Sequence, residues 1–307
     1  TVEESGLAES IGSHPGQKEN AFFHTIPALK NNALVLGYQQ AQLIELLKRS
    51  RPYPNVLYCI DNETNESPEW GKFWSLQIKD QAGESIVQTT EMWDAWDLQS
   101  TQHRHTLDHP ELYRFFDLSQ NNHRHAEEHW QNPQLIRQYI IDSGHIRPMN
   151  SVKIYGANTG HFGTHRDAQE RLWRNIFGGL ASSRFHRPDS GLGLSKIAQA
   201  HIRSLRDLTD RIDIFTCTPD NDLLDARSAN EAYCTANPGI EYAVFFPDGG
   251  NVVLDTEAAA GNMIGVQWLD IRKSVWLDEE TVEAGKRLRL VTPEEEGYWA
   301  VIVKVAE

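Results

Sequence analysis

The stretch NVLYCIDNE, residues 55–63, decides the fold of this 307-residue chain. A short run of apolar and aromatic residues ends abruptly in Asp61-Asn62-Glu63. The apolar run predicts a strand buried on both faces, with the polar trio at its carboxyl end. In proteins built on parallel sheets, catalytic and binding residues usually lie at that end of the strands. Glu63 is therefore the first residue to consider as a catalytic group.

Helical and strand patterns alternate around this stretch. Apolar residues recur at helical spacing from Ala33 to Arg49, and Ser67-Pro68-Glu69 is typical of a helix start. Regular alternation of the two patterns predicts an α/β fold with a parallel sheet and crossover helices. The predicted strands are Asn55–Glu63, Ser85–Thr90, Tyr113–Ser119, Ser151–Tyr155 and Ser183–His186, and later helices are predicted after Pro133, from Ala168 to Ala181 and after Ser195.

The pattern changes after about Asp213. Short runs rich in Val, Ile, Phe, Tyr and Trp follow one another, and no helical period is present. Asp248-Gly249-Gly250 lies between two of these runs and predicts a hairpin. The sequence therefore predicts two domains, residues 1–213 and an antiparallel β-sandwich at 214–307. The predicted strands of the second domain are 214–218, 242–246, 251–255, 264–269, 288–291 and 298–305.

Composition excludes several classes of function. The net charge of −14 argues against nucleic-acid binding through phosphate neutralisation. No run of about 18 apolar residues occurs, so no membrane span is expected. The three cysteines have no metal-binding spacing; Cys59 is expected to be buried, and Cys217 and Cys234 either pair or remain free.

Carboxylates at the ends of the first two predicted strands are candidates for acid/base chemistry. Glu63 can act as a general acid while Asn62 orients a substrate hydroxyl, or it can be a capping carboxylate without a catalytic role. Glu91 and Asp94 follow the next strand. Because neighbouring strands lie about 4.8 Å apart, strand-end carboxylates could stand roughly 5 to 9 Å apart, as in glycosidases. The alternative for Glu91 is an ion pair with an arginine.

Nine of the thirteen histidines fall between His103 and His165. They could bind a divalent metal, but a polar or sugar-facing set of loops is the favoured interpretation, so neither a metal nor another cofactor is predicted. Trp93, Trp96 and Tyr155 are either stacking surfaces for a ligand or packing residues. The remaining candidate contacts to a substrate follow later strands and are Asn121, Asn122, His123, Arg184 and His186.

Several long blocks resemble bacterial glycoside-hydrolase-like (β/α)8 barrels with a C-terminal β-domain labelled collagen-binding. The resemblance runs from about Phe22 to the end of the chain. Its blocks are VLYCIDNE (56–63), TEMWD (90–94), DLSQNNH (117–123), RLWRNIFGGLASSRFHRP (171–188) and, in the tail, FFPDGG (245–250), WLD (268–270) and GYW (297–299).

The resemblance implies a role for each strand. Asn55–Glu63 corresponds to barrel strand 4, whose Asn-Glu end supplies the acid/base in these glycosidases, which assigns that role to Glu63. The strand at 151–155, corresponding to strand 7, is followed by no carboxylate where the nucleophile is expected, and Glu91 is the available substitute. Strands 1 to 3 have no counterpart, so we expect either a fragment or a barrel completed by a second chain.

The resulting prediction is a glycoside hydrolase acting on a poly- or oligosaccharide, with Glu63 and Glu91 as its carboxylates. We expect a secreted or periplasmic bacterial protein. The competing interpretation is a non-catalytic relative that binds carbohydrate or matrix. A separation well beyond about 10 Å between the two carboxyl groups would favour the second class.

Overall fold

The computed structural model describes residues 21–83, 85–156, 162–186 and 194–306. The chain forms two compact units, which are described separately. Unit 1 contains Thr1–Gln120 and Tyr139–Asn150, and unit 2 contains Asn121–Gln138 and Ser151–Glu307. The predicted domain boundary after residue 213 stays a prediction.

Side-chain caps set the starts of several helices. Ser67 accepts a hydrogen bond from the Glu69 N–H, and Pro68 is the first helical residue, as predicted. The helix expected after Pro133 instead runs through that proline. A helix that begins after Ser100 was missed, because its residues have little apolar character. The helices are α1 Ala33–Ser50, α2 Pro68–Ala82, α3 Thr101–Asp108, α4 Ala126–Asp142, α5 His165–Phe177 and α6 Lys196–Thr209.

All five strands predicted in the first part of the chain overlap an observed strand. They are β1 Tyr58–Cys59, β2 Thr89–Thr90, β3 Phe116–Asp117, β4 Met149–Ile154 and β5 Ser182–Phe185. β1 pairs with β2 in parallel, and β3 pairs with β4 in parallel. The described strands form two separate sheets, one of order β1-β2 and one of order β3-β4-β5. The α/β alternation is confirmed, and no closed sheet is present among these residues.

The prediction that the first strand is buried on both faces is wrong. Tyr58 is buried and its hydroxyl lies 2.8 Å from that of Ser50 on α1, whereas Leu57 is 48% exposed. Ile60, on the same side as Tyr58, packs against the apolar clusters of α1 and α2. Cys59 is exposed rather than buried. Helices thus cover one face of β1, and side chains alternate between that face and solvent.

The C-terminal strands form two antiparallel sheets, as predicted for this part of the chain. One has the order β12-β11-β15-β9-β8-β6, with β13 also paired to β11, and the other has the order β14-β10-β7. Val244 and Phe246 of the first sheet share a buried cluster with Val252, Leu254 and Leu290 of the second. The strands are β6 Thr218–Pro219, β7 Leu224–Asp225, β8 Tyr233–Asn237, β9 Glu241–Phe246, β10 Asn251–Asp255, β11 Met263–Asp270, β12 Val275–Trp276, β13 Glu280–Glu283, β14 Arg287–Val291 and β15 Trp299–Val305.

Asp248-Gly249-Gly250 does not form the predicted hairpin. It leads from β9 in the larger sheet to β10 in the smaller one, and these strands do not pair. Gly249 has φ +46°, and a Cβ there would overlap the carbonyl oxygen of Glu295. Glycine is therefore needed for the crossing between sheets, which sequence alone did not distinguish from a turn between paired strands.

Helix α5 packs on the larger antiparallel sheet inside unit 2. The rings of Trp173 on α5 and Phe245 on β9 are stacked with centroids 5.2 Å apart. Ile154, Phe185 and Leu208 belong to the same buried cluster. Residues on both sides of position 213 therefore share one core. No helix in the described ranges is long and apolar enough to cross a membrane.

Candidate functional site

Glu63 lies just after β1 in a strained backbone conformation. Its φ is +52°, in the left-handed region that costs a non-glycine residue roughly 1–2 kcal/mol. The side chain is half-buried, and Gln120 donates a hydrogen bond of 3.3 Å to its Oε1. Residues in such conformations are concentrated at functional sites because the surrounding structure must hold them in place. Asn62, the other predicted member of the pair, is exposed.

Hydrogen bonds fix the segment of Glu63 to the segment that follows β2. The Met92 N–H donates to Asp61 Oδ1 at 2.7 Å, and the Thr64 N–H donates to the Met92 carbonyl at 3.3 Å. The Asp94 N–H donates in turn to the Thr64 carbonyl at 2.9 Å. The position of Glu63 is therefore set by both segments together. Asp94, a predicted contact, is half-buried here.

Glu91 and Asp61 form a buried acidic pair in unit 1. Glu91 is 2% exposed, accepts a 3.0 Å hydrogen bond from the Thr106 hydroxyl, and lies against Gly71, where a Cβ would overlap its Oε1. Burial, reinforced by the charge of Asp61, raises the pKa of Glu91 to about 8. Burial likewise raises the pKa of Asp61 to about 7, despite the hydrogen bond from Met92. The pair therefore retains a proton near neutral pH.

The surroundings of Glu91 differ from those predicted. Among the described residues no arginine pairs with it, and helices α2 and α3 cover it through Gly71 and Thr106. Trp93 is only 1% exposed and donates from Nε1 to the Thr106 hydroxyl at 2.8 Å. Its ring is thus a packing element and offers no stacking surface. The neighbouring Trp96 is 53% exposed.

Four of the predicted contact residues lie in one chain of contacts in unit 2 together with Phe162, which was not predicted. Phe162 lies 4.3 Å from Tyr155 and 4.8 Å from His123 between ring centroids. Tyr155 lies 5.1 Å from His186, whose Nδ1 is 3.4 Å from an Nη atom of Arg184. We call these five residues the Tyr155 cluster. They come from the segments after β3 and β4 and from the end of β5, so successive strand ends supply them.

Asn121 and Asn122, two further predicted contacts, hydrogen-bond to the backbone of neighbouring segments. Both are buried. Asn122 Oδ1 accepts the Tyr155 N–H at 2.7 Å. Asn121 donates to the His129 carbonyl at 2.8 Å and accepts from Asn132 at 2.9 Å. The two amides therefore position the segments that carry the Tyr155 cluster.

Sequence reasoning missed Arg171, which joins the same segments. Its guanidinium donates to the carbonyls of Arg124, Tyr155 and Phe162 at 2.7 to 3.1 Å. Burial lowers the pKa of Arg171 to about 10, well above neutrality, so it stays charged. The available signal was helical spacing, since Arg171 stands three residues after Ala168 on a helix that is buried along most of its length.

His125, which precedes α4, and His129 on α4 stand four residues apart with two glutamates between them. His125 lies 2.8 Å from Asp167, whose pKa is about 2 because bonds from Thr164 and His125 outweigh the effect of burial. Burial and the charge of Arg174 lower the pKa of His129. Nowhere in the described ranges are three His, Cys, Asp or Glu residues placed to hold a metal ion. His161 lies outside these ranges.

Comparison with known proteins relates the fold to glycoside hydrolases. No protein-family model matches the sequence. No curated protein matches it significantly either. A family 5 glycoside hydrolase from Bacteroides vulgatus ATCC 8482 superposes with a TM-score of 0.63 at 14% identity, covering 87% of this chain and 66% of that one. Another glycoside hydrolase gives 0.63 at 13% identity, covering 87% and 68%. The chain thus spans about two thirds of the length of these proteins and has a glycoside-hydrolase-like fold.

Proposed function

We propose that this chain carries the site of a glycoside hydrolase acting on a poly- or oligosaccharide. The observation that carries the proposal is Glu63, a half-buried carboxylate held at a strand end with positive φ in a glycoside-hydrolase-like fold. We further propose that β1–β5 are strands of a (β/α)8 barrel and that the C-terminal sheets form a sandwich. This chain covers 66% of the family 5 structure. We therefore also propose that a further segment, from this or a second chain, completes the barrel.

In the proposed reaction, Glu63 protonates the oxygen of the scissile glycosidic bond and then deprotonates the attacking water. Gln120 donates to one carboxylate oxygen and fixes its direction. We propose separately that the Tyr155 cluster, within unit 2, binds saccharide. Glu91 was the predicted second carboxylate, but its burial and raised pKa favour a supporting role that holds the segments after β1 and β2. We assign no nucleophile.

The second candidate function is carbohydrate binding without catalysis. The burial of Glu91 favours it, because a glycosidase needs two carboxyl groups that reach the substrate. Either function places the protein where polysaccharides occur, which agrees with a secreted or periplasmic location.

Release of reducing sugar from a panel of polysaccharides tests the proposal. Glu63→Gln should lower turnover by about 10²- to 10⁴-fold with the circular dichroism spectrum unchanged. Glu69→Gln makes the same change at an exposed position on α2 and should keep full activity. Equal activity of wild type and Glu63→Gln would refute the catalytic role, and tight saccharide binding without turnover by wild type would establish the second candidate.

A further inference from the structure

We infer that the saccharide recognised by the Tyr155 cluster carries negative charge, as a uronate carboxylate or a sulfate ester. The inference rests on the proposed function, because it specifies which saccharide the Tyr155 cluster binds. Two observations support it. They are the face of the β4-β5 sheet on which each side chain lies, and the lack of a described acidic residue paired with Arg184.

Strand alternation places several basic side chains on one face of β4 and β5. Ile154 and Phe185 are buried in the core shared with α5, so they define the helix-covered face. Their neighbours in sequence, Lys153, Arg184 and His186, lie on the opposite face together with Tyr155. Lys153 is 6% exposed there, while Arg184 is exposed. Among these side chains the guanidinium of Arg184 is the exposed basic group.

Arg184 is not neutralised by any acid in the described part of the chain. Its Nε donates to the Val152 carbonyl at 3.2 Å, and its other contact is His186. Elsewhere in unit 2, Arg166 pairs with Glu170 at 2.8 Å. The chain contains 43 acidic and only 29 basic residues, so acids are available in excess. An arginine left without a carboxylate in such a chain is suited to an anion supplied from outside.

The chemistry of the ligand follows from the guanidinium. Its planar fork pairs with a carboxylate or a sulfate through charge-assisted hydrogen bonds, which are about twice as strong as neutral ones. The half-buried ring of Phe162, which reaches Arg184 through Tyr155 and His186, offers apolar contact to the face of a sugar ring. A neutral polysaccharide would use this ring and leave Arg184 without a partner.

Isothermal titration with matched saccharide pairs tests the inference. The first pair is trigalacturonate and its methyl ester, and the second is a sulfated carrageenan tetrasaccharide and its desulfated form. In at least one pair, the charged member should bind about tenfold more tightly, a ratio equivalent to about 1.4 kcal/mol. The preference should weaken as salt is raised. The pair that shows the preference identifies the carboxylate or the sulfate as the recognised group.

Variants assign the preference to Arg184. Arg184→Gln should reduce the ratio to near one, Arg184→Lys should keep part of it, and Arg203→Gln, which removes an exposed charge on α6, should leave it unchanged. Equal binding within both pairs, binding of neither pair, or a preference that survives Arg184→Gln would each overturn the inference. Turnover lost in Glu63→Gln would still support the hydrolase if the charge preference failed, so the two proposals fail separately.

Discussion

The buried pair of Glu91 and Asp61 should make unit 1 less stable as pH rises. The pKa of Glu91 is raised from 4.5 to about 8, so between these values the folded state binds more protons than the unfolded state. The stabilisation that the folded state gains by keeping Glu91 protonated is fully present below pH 4.5 and is lost as the pH rises through about 8. Asp61 acts in the same direction, since its pKa is raised from 3.8 to about 7.

The expected magnitude follows from the pKa of Glu91. One pKa unit corresponds to about 1.4 kcal/mol. Because the pKa of Glu91 is raised, the free energy of unfolding should fall by about 4 kcal/mol between pH 5 and pH 9. Glu91→Gln keeps an oxygen for the Thr106 hydroxyl but cannot ionise. Because Asp61 still titrates in the variant, we expect about half of the pH dependence to remain and the variant to exceed wild type in stability above pH 8.

Hydrogen exchange measured by mass spectrometry resolves this effect within unit 1. Peptides from α2 and α3, the helices that cover Glu91, should show a local free energy of opening that falls from pH 5 to pH 9 in the wild type. Glu45→Gln changes an exposed glutamate on α1 and should follow the wild-type curve. Parallel curves for wild type and Glu91→Gln would refute the reasoning, because they would mean that Glu91 is ionised without cost when folded.

Two glycines offer further tests through thermal unfolding. Gly71→Ala should lower stability by about 2 kcal/mol or more, because its Cβ would overlap Glu91; an unchanged melting temperature would show that Glu91 does not lie against α2. Gly249→Ala should cost about 1–3 kcal/mol, since φ is +46° and its Cβ meets the Glu295 carbonyl. Gly285→Ala meets no close atom and is its control; equal melting temperatures for these two variants would contradict the crossing between sheets.

Local signals in the sequence predicted the elements well. Caps at Ser67 and Ser195 marked helix starts that the structure confirms, because a hydroxyl before a helix acts on backbone groups only two or three residues away. Strand positions were also recovered. The burial of the first strand was predicted wrongly, since Leu57 and Cys59 are apolar but face away from the helices.

The candidate site was predicted less completely than the fold. Tyr155, His186 and His123 follow different strands, and a shared strand end was enough to predict that they meet. The burial of Glu91 was beyond sequence reasoning, because it depends on Gly71 allowing α2 to approach. Likewise most partners of Arg171 are backbone carbonyls, which leave no residue pattern to detect.

The bonds of Arg171 bear on how this protein could be altered. One side chain on α5 ties together the carbonyl of Arg124, in the connection after β3, and those of Tyr155 and Phe162, in the connection after β4. These connections are therefore not interchangeable modules. A segment grafted from another protein to change the preferred sugar would have to present its carbonyl groups at the same points, or Arg171 would no longer hold it to the other connection. Engineering of this region should exchange the two connections together with α5.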